Sequence, residues 1–459
     1  MVDFTTEIGP ESRGMVKILQ TTFARQLGTI LLLAPALVLP SRAAAPALTT
    51  LYSFTDLADG GFPEAGLVLG TGGTLYGTTS TGGSGWGSVF ELLPGANSTF
   101  TEKTIYTFTG GADGGNPVAK LVLGKSNVLY GTTYSGGAHG YGTVFQVAPV
   151  GSGNWTQKVL YSFANGTDGA YPAAGLVYQS TLGVLYGTTY GGGSAGLGTI
   201  FELLPGTGGI WTEKVIYTFL GGTDGANPIS DLALSSSGSL YGTTSQGGSG
   251  TNSSGAYANW GTVFQLSPKG GGVWAETVLY TFTGGTDGGS PESAVLLGPA
   301  GVLYGSAFWG GIAADCTESA YLTGCGVVYQ LAPPTSGSGP WTQTVLYSFT
   351  GTGTDGAHPY QNMTLYATTG QLFGATFAGG STLDICFQEA YAGCGTVFSV
   401  KPPATKGNPW TKSNMIVFPG SPGAGAPNGL VQSSGGALYG TTILGGNTGG
   451  YGTVYLLTL

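Results

Sequence analysis

The chain has 459 residues, of which 88 are glycine, 8% are charged and 12% are aromatic. That aromatic and aliphatic content speaks against a disordered chain, which lacks the apolar surface needed to offset ordering entropy. A formal net charge of −9 speaks against nucleic acid as a partner, because an acidic surface repels phosphate backbones.

Residues 1–47 read as a secretory leader. Lys17 and Arg25 precede the apolar run Leu27 to Leu39, and Ala43, Ala44, Ala45, Pro46 and Ala47 come after it, which places cleavage near Ala45 or Ala47. The stretch before the run is long, so Met15 competes with Met1 as the start. The run is short for a membrane span of about 20 residues and holds Pro35, so an anchor is the weaker reading. Beyond residue 47, nine lysines face 19 carboxylates and no arginine is left. Bidentate recognition of carboxylate or phosphate is thereby removed. No later hydrophobic run is long enough to cross a membrane, so the mature chain is expected to carry no span, and the protein to be secreted, periplasmic or on the cell surface.

Internal repetition dominates the remainder. Leu-Tyr-Gly-Thr-Thr occurs at 75–79, 129–133, 185–189, 240–244 and 438–442, with the variants Leu303-Tyr304-Gly305-Ser306-Ala307 and Leu372-Phe373-Gly374-Ala375-Thr376. After each comes a Gly-rich loop and then a segment such as Gly142-Thr143-Val144-Phe145. A third apolar segment, such as Val159-Leu160-Tyr161-Ser162-Phe163, lies between repeats, and a fourth, such as Gly66-Leu67-Val68-Leu69, precedes each Leu-Tyr motif. Period-2 patterning makes all four strands. Named in repeat order they are A (Gly-Leu-Val-Leu), B (Leu-Tyr-Gly-Thr-Thr), C (Gly-Thr-Val-Phe) and D (Leu-Tyr-Ser-Phe). On the D strand the alternation places Trp155, Val159, Tyr161 and Phe163 on one face and Thr156, Lys158, Leu160 and Ser162 on the other.

Seven units of four antiparallel strands predict an all-β, seven-bladed β-propeller over residues 48–459. A parallel β-helix is the rival, but its coils are usually shorter than this period. The mature chain opens on a D strand at 49–54 and ends on a C strand at 452–459. The N-terminal strand is therefore expected to join the last blade and close the ring, which removes an open sheet edge.

The Asp-Gly-x-x-Pro, Leu-Tyr-Gly-Thr-Thr, Gly-Gly and Gly-Thr-Val-Phe segments resemble the tandem GloVer repeat of bacterial exported proteins, over nearly all of residues 49–459. The resemblance implies export and a propeller-like architecture, and no reaction. Members often end in C-terminal anchoring segments, whereas this sequence stops at strand C.

The four cysteines fall in the two longest B–C insertions. Local disulfides Cys316–Cys325 and Cys386–Cys394 are the natural reading in an exported chain. A zinc site is disfavoured by the absence of C-x₂-C spacing and by the presence of only two histidines, His139 and His358.

In a four-stranded blade the D–A and B–C connections share one face. The D–A loops carry Asp59, Asp113, Asp168, Asp224, Asp287 and Asp355, each preceding a glycine. Turn chemistry is the first reading of these acids. Calcium, which wants six to eight oxygens, is the second, and a sugar ligand the third. The B–C loops present Trp86, Tyr134, Tyr141, Tyr190, Trp260, Phe308 and Trp309, candidates to stack on a ligand. Their competing reading is coverage of neighbouring blades. Glu64, Asp231 and Glu292 stand near the start of strand A. As a pair they would serve acid/base hydrolysis, and otherwise they are solvated loop acids. Gly192-Gly193-Ser194-Ala195-Gly196 spells a nucleophile elbow, with no helix after it.

The leading expectation is an exported, non-catalytic propeller that binds a glycan or a protein, with no cofactor unless calcium occupies the loop acids. A carbohydrate-active hydrolase or lyase using acids on the loop face is the alternative. A calcium-stabilised structural module is the third expectation.

Overall fold

Short strands rich in Thr, Val, Tyr and Phe, separated by glycine turns, pair locally into hairpins. Here they form seven four-stranded antiparallel sheets among the described residues. The structure is a computed structural model. It describes residues 45–459 apart from 97–98, 152, 249–259, 313–315, 317–323, 338, 381–392, 406, 420–424 and 447–448. The expected leader lies outside the described residues through residue 44.

Blade 1 runs from an inner strand A at Val68–Leu69, through B at Leu75–Thr79 and C at Ser88–Pro94, to an outer strand D at Phe100–Thr107. Blade 7 takes its outer strand from the N-terminus. Ala47–Ser53 pairs antiparallel with Thr453–Thr458, Ala47 opposite Thr458 and Ser53 opposite Thr453. The strand thus starts two residues earlier than its motif.

The core lies between blades. Strand B is buried on both faces because it is sandwiched by two neighbouring sheets. An aromatic seam runs round the ring at this level. Phe108 meets Phe145 of the next blade edge-on with centroids 5.0 Å apart, and Phe163–Phe201, Phe219–Phe264, Phe282–Tyr329, Phe349–Phe398 and Phe418–Tyr455 repeat the contact. Phe54 of the N-terminal strand meets Phe90 of blade 1 at 5.1 Å, so the seam passes from blade 7 back to blade 1. Each edge-to-face pair adds about 0.5–1.5 kcal/mol beyond its buried area.

The outer strand corrects the expected alternation. A bulge lies between Val144 and Phe145, where Phe145 pairs with Val159 but Val144 pairs with Tyr161. The extra residue is Leu160, and it reverses the facing of the residues after it. Trp155 packs against Tyr76 of the preceding blade, whereas Leu160 and Phe163 pack with Phe201 of the next one. Strict period-2 reading cannot see a one-residue insertion that leaves the chain extended.

Blades 5 and 7 carry tyrosine where the others carry phenylalanine in the seam. The Tyr329 and Tyr455 hydroxyls are fully buried and have no hydrogen-bond partner among the described residues. Tyr329→Phe and Tyr455→Phe are each expected to raise unfolding free energy by about 1 kcal/mol, the desolvation cost of an unmatched hydroxyl. Denaturant unfolding of the two variants measures this directly.

Candidate functional site

The D–A loops are built first by their aspartates. Asp113 accepts hydrogen bonds on Oδ2 from the Tyr106 hydroxyl (2.9 Å) and the Thr109 backbone N–H (2.9 Å). Asp59, Asp168, Asp224, Asp287 and Asp355 repeat the arrangement with Tyr52, Tyr161, Tyr217, Tyr280 and Tyr347. Burial first pushes these tyrosine hydroxyls well above their ordinary value, followed by the loop aspartate at Tyr52, Tyr280 and Tyr347 and by Glu213 and Glu276 at Tyr161 and Tyr217. The carboxylates are engaged in shaping their own loops. Among the described residues, no three Asp, Glu, His or Cys side chains gather as metal ligands.

The B–C loop aromatics divide into two sets. Trp86, just before the C strand, lies across the next blade's loop, its ring filling the place where a Cβ on Gly110 would stand. Trp260 covers Gly284 in the same way, and Leu197 covers Gly221. In blade 5 this position is Cys325, and the Cys316–Cys325 disulfide sits beside Gly351. The bridge thus replaces an aromatic cap. Cys394 holds the corresponding place in blade 6 and is disulfide-bonded, and its expected partner Cys386 lies outside the described residues. Tyr141 also occupies this position and meets Tyr171 edge-on at 5.6 Å.

Tyr134 and Tyr190 come directly after strand B and turn inward. They line a cavity of about 420 Å³ together with Glu64, Val118, Ala173, Ile229, Glu292, Tyr360 and Gln361. Tyr134 is stacked on Tyr171 at 5.2 Å. Phe308 and Trp309 occupy the equivalent stretch in blade 5 but are not exposed ligand platforms, at 9% and 5% exposure. His358 stacks on Phe308 at 4.6 Å, and its Nδ1 lies 3.0 Å from the Phe308 carbonyl oxygen. His358 is buried, and burial pulls its pKa down to about 4. Phe308 and Phe377 back Tyr360 edge-on at 6.2 and 5.9 Å, so Phe308 supports the cavity from behind. Ser194 and His139 are exposed on Gly-rich loops.

The cavity is the axial mouth. Glu64, Val118, Ala173, Ile229, Glu292 and Tyr360 are the same position in six repeats, the residue after the loop proline, and Asn428 is the seventh. Blades 2–4 supply an apolar arc through Val118, Ala173 and Ile229, and blades 5, 6 and 1 supply Glu292, Tyr360, Gln361 and Glu64. Desolvation raises Glu292 to about 7, opposed by a hydrogen bond from Ser290, and raises Glu64 against a hydrogen bond from Ser80. Solvated acids would not behave so. The sequence reading of these two glutamates as loop acids in water is corrected by their convergence in one cavity.

Below the mouth the axis is filled. Asp231 of blade 4 accepts from Gly175 N–H on Oδ1 (2.6 Å) and from Asn362 Nδ2 of blade 6 on Oδ2 (2.6 Å), reaching past blade 5. Asn362 Oδ1 accepts from Ala294 N–H at 2.9 Å. Lys120 shares this level, where burial lowers its pKa and raises that of Asp231 while their attraction opposes both shifts. Asp231 therefore ties blades together beneath the cavity. Tyr360, Gln361, Lys120 and Asn362 were missed in the sequence. The available signal was that the residue after each loop proline changes type from repeat to repeat while the strand motifs do not.

Residues 37–253 match the family model of the Gloeobacter/Verrucomicrobia repeat. No curated protein matches the chain. Among solved structures, the PQQ-bound aldose sugar dehydrogenase of Streptomyces coelicolor is 14% identical with a TM-score of 0.43, over 90% of this chain and 98% of its own. The periplasmic gluconolactonase PpgL of Pseudomonas aeruginosa is 14% identical with a TM-score of 0.41, over 78% of this chain and 89% of its own.

Proposed function

We propose that in this chain, which carries the Gloeobacter/Verrucomicrobia repeat, the axial mouth is a binding site for a small, hydroxyl-rich ligand of the carbohydrate class. The observation that carries the reading is the break in repetition. Strand motifs stay alike across seven blades, while the ring lining the cavity alternates between acid, aliphatic and aromatic side chains. A repeated scaffold whose side chains vary around one concave ring supports recognition there. The apolar arc and the tyrosine faces suit the C–H face of a sugar ring, and the Glu and Gln oxygens and amide suit its hydroxyls.

Export fits the same reading. The Cys316–Cys325 bridge is of the kind that persists in oxidising compartments, and among the described residues no helix is long and apolar enough to cross a membrane.

One observation favours a second reading, hydrolysis. Glu292, held near 7, is suited to donate a proton while Glu64 acts as base. The two readings separate on a panel of soluble oligosaccharides assayed by calorimetry and by product release. Binding without turnover, weakened at least tenfold by Tyr190→Ala, is expected. Turnover abolished by Glu292→Gln replaces the binding reading with the hydrolytic one. Binding unaffected by both changes removes the mouth as the site.

A further inference from the structure

We propose that the ligand of the axial mouth bears a cationic amine on an otherwise neutral sugar ring, that is, an amino sugar. The inference rests on the mouth being the carbohydrate site and adds its charge preference. Two carboxyl groups, Glu64 and Glu292, enter one cavity whose lining, among the described residues, holds no lysine, arginine or histidine. The ion pairs found among the described residues lie elsewhere, joining Lys103 to Glu91, Lys214 to Glu202 and Lys412 to Asp355. A carboxylate in a desolvated pocket without a counter-charge is costly, and a bound ammonium supplies that charge through charge-assisted hydrogen bonds.

The rest of the lining fits the remainder of such a ligand. Tyr134, Tyr190 and Tyr360 offer ring faces that attract an ammonium as well as the C–H face of a pyranose. Val118, Ala173 and Ile229 lie on the side away from the glutamates, so one edge of the ligand is apolar and the other charged. The chain beyond residue 47 has no arginine and an excess of acids, which draws cations towards the mouth and turns anions away.

Calorimetric titration of the purified protein at pH 7 with D-glucosamine, N-acetyl-D-glucosamine, D-glucose and D-glucuronate tests this. Glucosamine is expected to bind about tenfold or more tightly than glucose or the N-acetyl sugar, one charge-assisted contact's worth. Glucuronate is expected not to bind. The Glu64→Gln/Glu292→Gln double variant is expected to bind glucosamine and glucose alike. Its fold is protected by the ring position itself, which already accepts Val, Ala, Ile and Tyr. Glucose binding as tightly as glucosamine to the unaltered protein overturns the amine preference and leaves the carbohydrate reading standing. Glucuronate binding most tightly overturns it as well. Failure of all these sugars to bind overturns the carbohydrate reading too.

Discussion

Exchanging Glu102, Glu213 and Glu276 together for glutamine is expected to stabilise the protein at pH 8 and to change little at pH 4.5. All three stand two residues after the aromatic at the start of an outer strand (Phe100, Trp211 and Trp274), and each faces the D–A loop entering its own blade. Burial raises each to about 7, and Asp59, Asp168 and Asp224 respectively push further in the same direction. One oxygen of Glu213 and one of Glu276 are sealed without a hydrogen-bond partner, which a charged group tolerates poorly.

Linkage sets the sign. The native state holds protons that the unfolded chain, titrating at 4.5, has already released. The stabilisation is therefore complete below about pH 4.5 and is lost as pH rises through 7. Glutamine removes this loss, by on the order of 1 kcal/mol per site after allowance for solvent screening. The repeat contains its own controls. Gln157 and Gln343 hold the same position in blades 2 and 5 and donate to the Asp113 and Asp287 carbonyls at 3.2 and 3.0 Å, and Lys412 ion-pairs with Asp355 in blade 6. Denaturant unfolding at pH 4.5, 6 and 8 reads the effect. A slope unchanged in the triple variant would mean that other groups govern stability in this window.

Gly131→Ala is expected to destabilise by about 1–3 kcal/mol, the cost of overfilling a packed core. Its backbone is ordinary strand, so the demand is for space. An added Cβ would stand 2.6 Å from Phe145 Cζ and 2.8 Å from Leu121 Cδ2. Gly77, Gly187, Gly242 and Gly374 meet the corresponding ring in the same way, which explains glycine at the centre of every Leu-Tyr-Gly motif. Shortening the ring by Phe145→Leu should make room. The double variant is then less destabilised than the two single changes added together, because the sites share one space. Simple additivity would place the demand for glycine elsewhere.

This glycine, the strand motifs and the seven blades were legible because each depends on residue type at a fixed spacing. The bulge at Leu160 was not legible, since an inserted residue that stays extended leaves no mark in composition. The loop aspartates were legible as turn formers because their partners lie within a few residues. The mouth was half legible. Tyr134 and Tyr190 were found, but Trp86 and Trp260, in the same loops, face the next blade. Nothing in an aromatic's identity says which end of a short loop turns inward. Glu64 and Glu292 are more than 200 positions apart, and only closure of the ring removes their solvent together.

Crystals of the protein soaked with glucosamine show most directly whether the axial mouth is the binding site. Ligand density is expected within the ring of Glu64, Tyr134, Tyr190, Glu292 and Tyr360, with its amine towards the glutamates. Density confined to the outer strands or to the Trp86 and Trp260 loops, with the mouth empty at saturating ligand, would contradict it.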